Sequence, residues 1–286
     1  MFVAIWGKWS TRRIKMKVLG LGDNVVDKYE NLGIMYPGGN SLNFAVFAKK
    51  LGHESSFMGV FGSDEEAAHV LSAIKEIGLD NSHSRFEKGE NGCARVKIDE
   101  GDRIFLGSNS GGVTREYPIQ LTEEDREYLN QFELIHMGLY SHVNHLLEEL
   151  QNVSGKISYD FSDDFTEEEV QRAIDKVDFG FFSIEDFSDE EVKQFLMKHF
   201  CERNDVLIAT RGEKTAIGYD GAKFYEVNPV LEEPVDTMAA GDSFLTAFLL
   251  YFLEGDDIVT AMKKGNEFAG KSCLVDGSFG FGIHYD

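Results

Sequence analysis

Residues 235–254 read VDTMAAGDSFLTAFLLYFLE, and they set the terms for the rest of the chain. Three small residues, Ala239, Ala240 and Gly241, and the carboxylate Asp242 stand directly before a dense apolar run. The run predicts a core helix. Its small first residues let the backbone approach another molecule closely. A helix starting there points unpaired N–H groups, and the positive end of its dipole, at whatever lies in front. Asp242 is placed to act on the same object. An anion pocket made of backbone donors, with a carboxylate base at its lip, suits the transfer of a phosphoryl group to an alcohol.

A chain of 286 residues can bury one large core, or one core and a small appendage. Its net charge of −22, from 50 acidic and 28 basic residues, argues against nucleic acid or an anionic membrane as the main partner. ATP is not excluded, because a local amide pocket and Mg²⁺ override a distant negative field. Cys93, Cys201 and Cys273 are far apart and form no C-x-x-C pair, which fits a reducing, cytoplasmic setting. The apolar run at 244–253 is too short to span a membrane. Residues 1–15 place Lys8, Arg12, Arg13 and Lys15 after an apolar start, the reverse of a signal peptide. They are expected to be a non-native or mis-assigned extension before Met16.

Upstream, 17–22 (KVLGLG) predicts a short strand. Gly20 and Gly22 hint at a dinucleotide fingerprint, but Val25 occupies the third glycine position and no glycine-led helix follows. Asp27 comes next, a double acceptor suited to a polyol or a turn residue. Gly38 and Gly39 then open a helix with apolar residues at Leu42, Ala45, Val46, Ala48 and Leu51, stopped at Gly52. Asn43 lies one turn in and points back to the glycines. Residues 57–61 and 65–77 predict a strand and a helix ending at Gly78. Residues 93–98 and 103–106 predict a hairpin, isolated among βα repeats and therefore a candidate lid. Apolar runs at 134–137, 157–161, 179–183 and 206–210 alternate with acidic amphipathic segments, which predicts a parallel sheet covered on both faces. His142 and His145 are three apart but lack a Glu-x-x-His partner pair, so surface or core placement is favoured over metal.

DTMAAGD at 236–242 resembles the D-T-x-G-A-G-D signature of the ribokinase, or PfkB, family of carbohydrate kinases, with Ala239 in place of a glycine. The Gly38-Gly39 pair with Asn43, and GVFGSD at 59–64, resemble further elements of that family. The resemblance implies an α/β, ribokinase-like fold: a mostly parallel central sheet with helices on both faces and a small β lid. It implies a core of residues 16–27, 38–91 and 110–286, and a lid of 28–37 and 92–109. By the same resemblance Asp242 is the base, and Ala239, Ala240 and Gly241 form the anion hole. Asp27, Gly38, Gly39 and Asn43 hold the sugar, with Arg103 reaching in from the hairpin. Thr210 and Gly212 flank the nucleotide phosphates, and Asn266 and Gly277 border the adenine. ATP and Mg²⁺ are the implied cofactors, with K⁺ in some members beside Asp236 and Thr237. The family's N-x-x-E element is replaced here by Ser183-Ile-Glu-Asp186, so Asp186 or Glu185 would serve the metal. Lids of this family often pair between subunits, which implies a homodimer.

GDNVVDKY at 22–29, GDRIF at 101–105 and YDFSDDF at 159–165 look closest to the branch of fructoselysine 6-kinases. That branch implies O6 of a fructosamine, an amino-sugar conjugate, as acceptor. Asp160, Asp163 and Asp164 would then face the substrate's cationic amine or form a solvated acidic loop. A fructokinase or ribokinase of the same fold, and a sugar-binding sensor without catalysis, are the alternatives.

Overall fold

The computed structural model describes residues 15–99, 102–230 and 234–285, so the expectation for residues 1–15 lies, apart from Lys15, outside the described residues. The chain opens with β1 (Lys17–Gly22), then β2 (Val25–Tyr29), β3 (Ile34–Gly38), α1 (Asn40–Lys50) and β4 (Glu54–Phe61). Helix α2 (Glu65–Ile77) and the short β5 (Arg85–Phe86) lead to the hairpin β6 (Gly92–Asp99) and β7 (Asp102–Ser108). After α3 (Val113–Glu116) and α4 (Glu123–Leu129) come β8 (Leu134–Gly138), β9 (Lys156–Asp160), α5 (Glu167–Ala173), β10 (Phe179–Ser183), α6 (Asp189–His199) and β11 (Val206–Arg211). The last part holds β12 (Lys214–Tyr219), β13 (Phe224–Val227), α7 (Ala240–Leu253), α8 (Ile258–Ser272) and β14 (Ile283–His284).

The larger sheet has the order β13-β12-β11-β10-β9-β8-β1-β4-β5, parallel except for β12 and β13 at one edge. Its central strands are buried on both faces. Because successive side chains point to opposite faces, Val18 and Leu134 join the core against α1, α7 and α8. Leu19, Leu21, Ile135 and Met137 join the core against α4, α5 and α6. In α7 every residue from 243 to 251 is buried, and the helix packs between α1 and α8. This explains why the sequence there lacks a polar stripe. Each fully buried Phe or Leu in it contributes about 1.5–3 kcal/mol by burial.

Helix starts separate the scaffold from the site. The first turns of α2, α4, α5, α6 and α8 are capped by Asp64, Thr122, Thr166, Ser188 and Asp257. Neither α1 nor α7 has a capping side chain at its N-cap, which is Gly39 in one and Ala239 in the other. The first amides of α1, at Asn40 and Ser41, donate instead to the buried carboxylate of Asp23, at 2.8 and 3.1 Å.

The smaller sheet, in the order β14-β3-β2-β6-β7, is broader than the expected lid. It begins at Val25, so Asp27 sits on the lid sheet itself, and its outer edge is completed by Ile283 and His284 pairing with Met35 and Ile34. Tyr29 fastens this sheet to the core: its hydroxyl donates to Asp236 Oδ2 at 2.5 Å. All three cysteines are free thiols. No helix among the described residues is long and apolar enough to cross a membrane.

Candidate active site

The N-termini of α1 and α7 meet at one carboxylate. Asp242, in the first turn of α7, accepts from Asn40 Nδ2 at 2.8 Å and from Asn43 Nδ2 at 2.6 Å. The two asparagines are three residues apart and so lie on one face of α1. Asn40 Nδ2 also donates to Asp160 Oδ2 at 2.9 Å, at the end of β9. An amide nitrogen facing two carboxylates fixes the orientation of the Asn40 side chain. Its oxygen therefore faces His136 Nε2, 3.0 Å away.

His136 is fully buried on β8 and stacks on Phe44, ring centroids 4.7 Å apart. Burial pushes its pKa down to about 3, so the ring is neutral. With a carbonyl oxygen at Nε2, that nitrogen carries the proton, and Nδ1 accepts from Ser158 Oγ at 3.1 Å. Ser158, His136 and Asn40 thus form a chain that holds Asp242 from behind. Asp160 is pushed up to about 7, first by burial and then by the neighbouring Asp242 charge. Its hydrogen bonds from Ser162 N and Asn40 only partly offset this.

The residues expected at a sugar converge on the same place. Asn43 Nδ2 also reaches Ser278 Oγ at 3.3 Å, and a side chain on Gly38 would meet both Asp27 Oδ2 and Ser278 Oγ within 3.0 Å. Gly38 is therefore what keeps this corner open. Gly39, at φ 111°, caps α1 where a methyl group would press on Asp23 and the backbone of Asn24. The oxygen of Asn43 is buried and has no hydrogen-bond partner among the described residues. A buried acceptor without a donor is costly, and a substrate hydroxyl would satisfy it. The side chain of Arg103 lies outside the described residues, while its backbone pairs with Ile98 in the hairpin.

On the other side of Asp242, Ala239 sits in the left-handed region at φ 57° and ψ 21°. The Ala240 N–H is spent on Thr237 O at 3.2 Å, so of the three expected donors this one closes the turn instead. Gly241 has no atom within 4 Å of where a side chain would project, which leaves open space at the helix start. Asp236 is fully engaged, taking Tyr29 Oη and Gly277 N on one oxygen and Met238 N on the other. Gly277 therefore serves the loop, with its α-carbon packed on the Tyr36 ring. Asn266 likewise donates to Asn228 O at 2.9 Å and anchors the backbone after β13.

Thr210, next to last in β11, lies beside Ser183, hydroxyl oxygens 3.4 Å apart. Gly212 follows at φ 59°, and a side chain there would collide with the Glu185 carboxylate at 2.8 Å. Glu185, not Asp186, thus faces Gly212, and Asp186 is exposed on the turn after β10. Among the described residues no three His, Cys, Asp or Glu side chains cluster as a metal cage. The Glu185 carboxylate beside Gly212 fits Mg²⁺, which keeps several waters and takes few protein ligands.

The residues that sequence reasoning passed over are Asn40, His136, Ser158, Ser278 and Asp23. Asn40 was findable, since it stands next to Gly39 and one helical turn before Asn43. His136, in an otherwise apolar strand, looks like a core histidine until its partners are seen.

The profile of the pfkB family carbohydrate kinases matches residues 7–279. The chain is 38% identical over 271 residues to the fructosamine kinase FrlD of Bacillus subtilis (strain 168), covering 94% of this chain and 95% of that one. It is 30% identical over 266 residues to the fructoselysine 6-kinase of Escherichia coli (strain K12), covering 92% of this chain and 100% of that one. Among solved structures, Giardia lamblia ribokinase superposes with a TM-score of 0.79 at 16% identity, covering 92% of this chain and 95% of that one. Arabidopsis thaliana ribokinase complexed with ribose and ATP gives 0.76 at 16%, covering 93% and 96%. With this sheet order, this lid and an aspartate clasped between two helix starts, the chain belongs to the PfkB family of carbohydrate kinases and is an ATP-dependent sugar kinase.

Proposed function

We propose that the enzyme phosphorylates the 6-hydroxyl of a fructosamine such as fructoselysine, with Asp242 as the general base. The observation that carries the chemistry is the clasp of Asn40 and Asn43 on Asp242 beside the open start of α7. Both amides donate, so they favour the ionised carboxylate and hold it toward the cleft. The sugar would rest against Asp27, Gly38, Gly39 and the unsatisfied oxygen of Asn43. The amide end of α7 at Gly241 and Asp242 would receive the transferring phosphoryl group. Thr210 and Gly212 would border the nucleotide, and Glu185, the carboxylate beside Gly212, would hold Mg²⁺, which when bound neutralises phosphate charge. The choice of a fructosamine is supported by the identity to two kinases of that substrate class across nearly the full chain.

The lid is proposed to meet a second copy of the chain. Ile104, Phe105 and Leu106 are consecutive and exposed on β7, an edge strand of the small sheet.

An ADP-release assay comparing fructoselysine, fructose and ribose tests the substrate. The highest kcat/KM is expected with fructoselysine, and a preference for fructose or ribose would reject it. Asp242→Asn is expected to keep the fold and sugar binding while turnover falls by about 10²–10⁴. Turnover near that of the unaltered enzyme would remove Asp242 from its role.

A further inference from the structure

Beyond the Asp242 cleft, the loops that follow β8 and β9 run on into a second cavity. These two loops start at the site: Gly138 packs on Asn40, and Asp160 bonds to it. A few residues later they supply Tyr140, His142 and Asp164 to a cavity of about 490 Å³, with Glu169 from α5 and Arg115 from α3. That is the size of a small-molecule site.

Its charges are unusual for this chain. Every other arginine whose side chain is described has an acidic partner within 4 Å. Arg115 has none among the described residues, although the chain carries 50 acidic residues. Asp164 and Glu169 line the same cavity but are not ion-paired with Arg115. Glu169 spends one oxygen on the Thr166 cap, leaving Oε1. A cation and two carboxylates held in one cavity without neutralising each other fit a ligand that is itself a zwitterion.

One residue of the cavity wall and one behind it are held in the left-handed region. His142, in the lining, adopts φ 55°, and Ser110, whose backbone bonds to its ring, adopts φ 58°. Gly111 lies so close to the imidazole that a side chain there would sit 2.6 Å from Nε2. Strained backbone of this kind persists where the surrounding structure holds it, and it gathers at ligand sites. Burial lowers the pKa of His142, and burial with the nearby Asp163 and Asp164 charges raises Tyr140 to about 12. Tyr140 therefore stays a hydroxyl donor in the cavity lining.

We propose that this cavity binds the free amino-acid end of the fructosamine, with its α-carboxylate on Arg115 and its α-ammonium on Asp164 and Glu169. A planar guanidinium can take a carboxylate through two parallel hydrogen bonds. The assignment rests on the fructosamine reading above and extends it from the sugar to the group the sugar is attached to.

The test compares fructoselysine with fructosyl-methylamine, which keeps the sugar and the cationic amine but lacks the amino-acid end. Arg115→Gln is expected to raise KM for fructoselysine by roughly tenfold or more, with kcat within about twofold. KM for fructosyl-methylamine is expected to be unchanged, which also shows that the variant is folded. Asp164→Asn should raise KM for fructoselysine and leave it unchanged for fructosyl-6-aminohexanoate, which lacks the α-amine. Equal KM changes on all these substrates, or none, would overturn the proposal. If the unaltered enzyme releases ADP with fructose but with no fructosamine, the substrate assignment itself fails.

Discussion

Asp160 and Asp242 share a single amide nitrogen, and that arrangement has a measurable price in stability. A free aspartate titrates near 4, whereas Asp160 in the fold is raised to about 7. Between those values the native state keeps a proton that the unfolded chain has released. Stability therefore falls as pH rises through this window, and the loss is complete above about 7. Asp160→Asn removes the titration. Its melting temperature is expected to match the unaltered protein near pH 4 and to exceed it increasingly up to pH 8. A difference independent of pH, followed by scanning calorimetry, would show that Asp160 is not the group responsible. Sequence alone offered Asp160 as one of three acids in a loop. Its real distinction, a bond to Asn40 beside Asp242, depends on β9 lying next to β8, which no local pattern encodes.

At the level of elements, the start of α7 decides how the site is built. Ala239 replaces a glycine of the family signature and sits left-handed, where a Cβ costs about 1–2 kcal/mol. Ala239→Gly is expected to stabilise the protein by about 1 kcal/mol after allowing for glycine's freer unfolded chain, read as a higher urea midpoint with an unchanged slope. An unchanged or lower midpoint would mean that the left-handed turn carries no strain. The elements themselves were largely legible. The strands at 134–138, 156–160, 179–183 and 206–211 and the helices α1, α2 and α7 follow from apolar period and flanking glycines. What the period could not show was which amides the turns consume. Ala240 N–H closes on Thr237, Gly277 N–H on the Asp236 carboxylate and the Asn266 side-chain amide on Asn228, so these three donors are engaged within the fold. Such bonds depend on loop geometry rather than on residue type.

For the whole molecule, the small sheet is the part with an exposed apolar edge. Phe105 is 64% exposed on edge strand β7, between exposed Ile104 and Leu106. Light scattering is expected to give the mass of a dimer, and Phe105→Glu the mass of a monomer with its fold intact. A monomeric unaltered protein would remove the lid interface. The hairpin was readable from alternation around 99–102, but the closing strand β14 was not, because two residues carry no period. That strand also bears on how the enzyme is made. Met35 and Ile34 leave the ribosome early, while Ile283 and His284, which cover them, are translated far later. A nascent chain thus carries a bare edge on this strand until the tail emerges. Chaperone demand and misassembly on the polysome should therefore concentrate at residues 34–38.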